Sequence, residues 1–201
     1  MPDPLPLAEE PLFTCSFSRS DDLLSQWRAY GAYAVEFDER LLFKELKKLV
    51  ECSYVDDDKT NIAIYELTGA ISKVSRSMER HDGCLGEDGI DALIHLVNVA
   101  ASFKNHGFHE ERELRVIRAI ESGDESIRFR AKGNRLVPYI EVEISLDCVK
   151  SICLGPMPEQ ELAEASMRMF VRHIEKKWQL DSSNIEYELT VTASPIPYRS
   201  T

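Results

Sequence analysis

Residues 112–154, RELRVIRAIESGDESIRFRAKGNRLVPYIEVEISLDCVKSICL, are where the chain stops reading as helix and begins to read as sheet. Four runs, Leu114 to Ile120, Ile127 to Arg130, Leu136 to Leu146 and Val149 to Leu154, are rich in β-branched and aliphatic residues and carry no helical period. In the third, Leu136, Pro138, Ile140, Val142, Ile144 and Leu146 alternate with Tyr139, Glu141 and Glu143, which predicts one dry face and one polar face. Pro138 lacks an N–H and is expected at a sheet edge or strand end.

Working back from that stretch, the middle of the chain is helical. Ile64, Leu67, Ile71, Val74 and Met78 recur at spacings of three and four between Asp58 and about Arg80, which predicts a core-facing stripe. A turn-rich break from His81 to Gly89 separates it from Ile90, Leu93, Ile94, Val97, Ala100 and Ala101, a second helix reaching Lys104. Further back, Leu12 to Ser18 reads as a strand, Asp21 to Tyr30 as a helix capped by Ser20 or Asp21 and closed by Gly31, Ala32 to Asp38 as a half-buried strand, and Glu39 to Leu49 as a helix. Leu23, Leu24 and Trp27 share a helix face, so Trp27 is expected to be more than a surface aromatic.

Beyond Gly155-Pro156, Pro158, Glu159 and Glu161 mark a helix start. Met167, Phe170, Val171, Ile174 and Trp178 form its apolar face, and a strand from Ile185 alternates Ile185, Tyr187, Leu189 and Val191 with polar residues. The expected fold is therefore α+β: a mixed, mainly antiparallel sheet with a two-helix insertion in the middle and a C-terminal helix–strand unit. One domain is expected over residues 12–201. Residues 1–11, with four prolines, form an extended lead-in.

Composition bounds the function. With 201 residues, 43% hydrophobic and 29% charged, the chain can build its own core. A formal charge of -11 repels phosphate backbones and anionic membranes and argues against nucleic acid as a partner. Arg112, Arg115, Arg118, Arg128, Arg130, Lys132 and Arg135 are a local exception, read either as the lining of one cleft or as a salt-bridged sheet surface. The start MPDPLPLAEE has no basic or apolar leader character and no apolar run approaches a membrane span, so a cytoplasmic location is expected. Five cysteines with no CxxC pair read as reduced thiols.

Walker A, GxGxxG, HExxH, EF-hand and GxSxG motifs are all missing. His106 and His109 could share a metal with Glu110 or Glu111, but a solvated loop explains them better, and no metal site is assigned. Asp56-Asp57-Asp58 is explained by the positive end of the helix it precedes. Glu36 with Asp38, and Glu141 with Glu143, lie at alternate strand positions and either bind a cation or face water. The densest cluster of ionisable groups is Phe103 to Arg115. There Glu111 and Glu113 project to one side if the strand starts early, and Glu113 shares a side with Arg115, a geometry that also suits a plain ion pair.

Several of these segments in order give the chain a family likeness. They are Cys15 to Ser18 followed by Asp21 to Tyr30, Phe103-Lys104 through Phe108 and Glu110 to Arg115, Phe129-Arg130 with Pro138-Tyr139, Gly155-Pro156, and Ser194 to Arg199. Together they resemble the bacterial proteins catalogued as domain of unknown function 2971. Such proteins generally begin with a His-Tyr-Thr-like segment and a helix before the Cys-Phe-Ser-like strand. Neither precedes Cys15 here, so the expectation is a start placed too late, a natural truncation or a differently built opening. The family layout is in turn similar to ADP-ribosyltransferases, with Ser16-Phe17-Ser18 and Glu111-Arg112-Glu113 matching their Ser-x-Ser and Glu-x-Glu elements. The resemblance implies NAD as substrate, with no other cofactor assigned. Glu113 would stabilise an oxocarbenium-like centre, Glu111 would orient the acceptor, and Ser16, Ser18 and Arg115 would hold the dinucleotide. Two alternatives stand beside it: a non-catalytic interaction module presenting Trp27, Tyr30 and the arginine-rich strands to a protein or small molecule, and a metal-dependent nuclease built on Glu141 and Glu143.

Overall fold

The computed structural model describes residues 11–47, 49–182 and 187–198. The expected lead-in, apart from Pro11, and the first residues of the last predicted strand lie outside them. The stretch expected as one domain divides into two compact units. One comprises the described residues before Ser20 and those between Lys47 and Glu143; the other comprises Ser20–Lys47 and the described residues from Glu143 onward. Both mix helices and strands, and every named strand pair but one is antiparallel, so the class is α+β with mainly antiparallel sheets. Among the described residues no helix is long and apolar enough to cross a membrane.

In the first unit, β1 (Leu12–Ser18), β3 (Val50–Glu51) and β4 (Glu113–Ala119) form a sheet in the order β1-β4-β3. Strand β4 is flanked on both sides and supplies the dry residues Leu114, Val116 and Ile117, each at most 6% exposed. The two middle helices are α3 (Asp56–Arg80) and α4 (Glu87–Ala101), packed against each other. Their contact face is not the predicted one. Ile64, Leu67, Ile71 and Met78 are 40–60% exposed, whereas Ala70 and Ser77 of α3 and Gly89 and Ala92 of α4 are buried. Small side chains let the two backbones approach closely; a Cβ added to Gly89 would stand 3.0 Å from Ser77 Cβ. Ser77 Oγ donates to Asp88 Oδ1 at 2.6 Å and accepts from Gly86 N at 3.0 Å, locking the helix pair at its turn.

Strands β5 (Arg128–Lys132) and β6 (Arg135–Tyr139) form a separate two-stranded sheet. The predicted run from Leu136 to Leu146 ends as a strand at Tyr139. Arg128, the first residue of β5, pairs with Tyr139, so the following residues have no strand to bond to. Nor is its face dry: Leu136 is 68% exposed. Pro138 sits in an edge strand one residue from its end, as expected.

In the second unit, β2 (Tyr33–Phe37) and β8 (Thr190–Ala193) flank β7 (Val149–Leu154), antiparallel and parallel respectively. Helix α5 (Gln160–Ser182) makes the crossover that a parallel pair requires. Leu154, Val171, Leu189 and Val191 are the buried centre, with Ala163 and Met167 packed on it from the helix. Burial of such side chains contributes about 1.5–3 kcal/mol each. The stripe that faces the sheet is Ala163, Met167 and Val171, spaced by four, so Phe170, predicted inward, is 54% exposed.

The short helices α1 (Leu24–Tyr30) and α2 (Glu39–Leu46) complete this unit. Helix α1 starts later than predicted, and neither Ser20 nor Asp21 caps it. Leu23 occupies the cap position, and Asp22 instead accepts the Trp27 indole N–H at 2.7 Å. Trp27 is half-buried, its ring against Gly155. Asp38 caps α2 through Arg40 N and Leu41 N, and Lys47 ends it at a left-handed φ of 58°, three residues early.

Candidate functional site

The register of β1 on β4 builds the site. Ser18 stands opposite Glu113 and Ser16 opposite Arg115, and residues two apart on a strand share a face, so all four lie on one face of the sheet. Glu113 is brought there by the segment after α4. Lys104 N donates to Ser53 O at 3.0 Å, anchoring that segment next to β3. Asn105 then caps a 3₁₀ turn, His106–Glu111, and Arg112 closes it at a left-handed φ of 44°. The strand begins only at Glu113, so Glu111 remains in the turn. The two carboxylates meet through a cation, not through strand alternation.

That cation is Lys104. Its ammonium donates to Glu111 Oε2 at 2.6 Å and also to Glu113 Oε2, and it lies 5.1 Å from the centre of the Phe108 ring. Glu113 Oε1 accepts from Arg115 Nε at 2.6 Å and from Ser16 Oγ. Arg115 spends a second N–H on Ala101 O at 2.5 Å, tying α4 to β4. Ser18 Oγ donates to the backbone oxygen of Glu111 at 2.7 Å. Around the backbone of Glu113, Tyr54 Oη accepts from its N–H at 2.8 Å and Cys52 N donates to its carbonyl at 2.9 Å. Glu113 is 2% exposed.

The electrostatics follow from this packing. Burial pushes the Glu113 carboxyl up, but the hydrogen bonds from Arg115, Lys104 and Ser16 outweigh it and hold the group below the usual carboxylate range. Burial works against the Lys104 ammonium as well, and the two glutamates overcome it, raising its pKa. Burial raises the Cys52 thiol and the Tyr54 hydroxyl. Two anions and two cations thus form a neutral, interlocked set in which both oxygens of Glu113 are engaged.

The five residues singled out from sequence, Ser16, Ser18, Glu111, Glu113 and Arg115, therefore do come together. The neighbouring concavity, open and about 480 Å³, is lined by Glu51 to Val55 with Asp58, Asn61 and Ile62, and by none of the five. Cys52 and Tyr54 belong to both its wall and the cluster. Its lining carries carboxylates and no Lys or Arg, which suits a dinucleotide pyrophosphate poorly. Lys104 and Tyr54 were not assigned roles from sequence. Only the fold brings them to Glu113, and no spacing rule signals it.

The other candidate ligands are spent locally. Glu36 pairs with Lys150 at 2.7 Å and accepts from Ser151 Oγ at 2.6 Å; Glu141 pairs with Arg128 at 3.1 Å. The rings of His106 and His109 stack 4.9 Å apart, and His109 Nδ1 lies 3.0 Å from His106 O. Among the described residues no three His, Cys, Asp or Glu side chains converge as metal ligands would. Compared with family models, curated proteins and solved structures, the chain finds no match in any of the three.

Proposed function

We propose that this chain works by binding, as an interaction module, and that the Ser16–Glu113–Lys104–Arg115 cluster is the brace that holds its first unit together. The observation that carries the reading is the β5–β6 ribbon: all five residues of β5 are exposed, and they include cations and a large aromatic that serve no core. The saturated carboxylate of Glu113 points the same way, because a group that must meet a developing charge needs an unoccupied direction. Trp27, which this reading would present to a partner, is half-buried and held by Asp22 and Gly155, in line with its expected packing, so the ribbon and not Trp27 is the surface proposed. A cytoplasmic setting accords with five free cysteines.

A second reading is favoured by one contact. Ser16 Oγ reaches Glu113 across 97 positions, the juxtaposition that an ADP-ribosyltransferase-like site, and kinship with the domain of unknown function 2971, would require. In that reading Lys104 swings out, Glu113 stabilises the oxocarbenium-like centre formed as nicotinamide leaves NAD, Glu111 orients the acceptor, and Ser16, Ser18 and Arg115 hold the dinucleotide. Nicotinamide release from NAD, by this chain and by a form extended with a His-Tyr-Thr-like front segment, decides between the two. The binding reading expects none from the purified chain. Release that falls about a hundredfold in Glu113→Gln, measured at a temperature where circular dichroism shows the variant still folded, would install the enzyme instead.

A further inference from the structure

The β5–β6 ribbon has two chemically distinct faces. Directly opposed residues of an antiparallel pair share a face, so the register Arg128↔Tyr139, Arg130↔Val137 and Lys132↔Arg135 places four cations on one side. The register Phe129↔Pro138 and Ala131↔Leu136 makes the other side apolar, with Phe129 61% and Leu136 68% exposed. Among the described residues one carboxylate, Glu141, pairs with the four cations, through Arg128, and Arg130 lies 5.5 Å from the Tyr139 ring centre. Lys132 stands opposite Arg135, a like-charge pair that weakens a ribbon unless something anionic lies across it. Among the described residues neither outer edge is paired with a third strand.

We infer that this ribbon docks an extended acidic polypeptide, which adds alongside β5 as a third strand with acidic and apolar residues alternating. The inference rests on the binding reading above and names the partner's chemistry. Such a segment answers all three features at once. Its backbone pairs with the open edge, its acidic residues fall beside Arg128, Arg130 and Lys132, and its apolar residues fall beside Phe129. The spacing matches by construction, since alternate residues on both strands repeat at about 6.7 Å. A nucleic acid would use the cations alone, leaving the apolar face and the edge unanswered.

The test is fluorescence anisotropy with the full chain and a labelled eight-residue peptide of alternating Glu and Val. Three comparisons accompany it: the same peptide N-methylated throughout, a single-stranded oligothymidine of equal charge, and the double variant Arg130→Glu/Lys132→Glu. The expected result is saturable binding of the plain peptide, about tenfold weaker to the double variant, lost on N-methylation and tighter than that of the oligonucleotide. An unchanged circular dichroism spectrum verifies that the variant, altered only at exposed positions, is folded. Equal binding of the N-methylated peptide or of the oligonucleotide overturns the proposal in favour of a plain polyanion contact, and so does no binding of the plain peptide. Absent peptide binding without NAD turnover defeats this inference alone, whereas NAD turnover defeats the binding reading beneath it.

Discussion

Glu113→Gln preserves the shape of the buried cluster and removes the charge at its centre, leaving Lys104 and Arg115 each short of a partner. Removing one member of a buried ion pair costs about 3–5 kcal/mol. Here Lys104 keeps Glu111 at 2.6 Å and Arg115 keeps Ala101 O at 2.5 Å, so the lower end applies, about 3 kcal/mol. For a chain of this length that is a fall in melting temperature of about 6–12 °C. Both tryptophans belong to the second unit, so their fluorescence reports the wrong part of the molecule. Hydrogen exchange of the β4 amides, followed in urea, reports the right one. Adding Lys104→Met removes the ammonium that has lost one of its two carboxylates, and the double variant should be more stable than the sum of the single losses by about 1–3 kcal/mol. Strict additivity, or β4 protection unchanged in Glu113→Gln, would refute the view that the cluster braces this sheet.

The pH dependence has a defined direction. Because the fold holds the Glu113 carboxyl below its ordinary value of 4.5, its contribution is complete above that value and lost as pH falls through the depressed one. Wild type and Glu113→Gln should therefore converge in β4 protection under acid and differ fully at neutrality. Thiol labelling at mild alkaline pH should modify exposed Cys84 first and Cys148 last, since burial, with Glu45 beside it, pushes the Cys148 thiol up to about 11; mass spectrometry of the labelled chain reads the order. Gly155→Ala places a Cβ 2.5 Å from Trp27 Cε3 and should destabilise the second unit by about 1–3 kcal/mol, with a shift in tryptophan emission. Ser77→Ala strips Gly86 N and Asp88 of their buried partner and should cost about 1–3 kcal/mol, seen as faster exchange at the α3–α4 turn.

Local pattern carried the elements well. The strand-like run Leu12–Ser18, the spacing of three and four from Asp58 to Arg80 and the Pro158 helix start are all properties of a few consecutive residues, and each of these elements formed within a few residues of expectation. Amphipathic spacing nevertheless misjudged which face is covered. It ranks residues by hydrophobicity, while α3 and α4 meet where the residues are smallest, at Ala70, Ser77, Gly89 and Ala92. The same limit explains residues 140–145: alternation describes a surface that is able to pair, and a strand exists only where a partner strand reaches it.

The amino-acid order by itself determined the α+β class, and that Ser16 shares a strand face with Ser18 and Glu113 with Arg115. Two antiparallel strands with a common pleat bring like-facing residues together once they pair. Tertiary structure alone decided what that convergence means. Lys104 arrives from a loop, Tyr54 from the segment just after β3, and Ala101 from a helix end, each placed by the packing of the first unit. Lys104 takes one oxygen of Glu113, Arg115 and Ser16 take the other, and the packing closes the carboxylate from water, because a buried carboxylate is stable only when its lone pairs are answered. Sequence spacing shows which charges are near in the chain; only packing shows which of them remain available to a ligand.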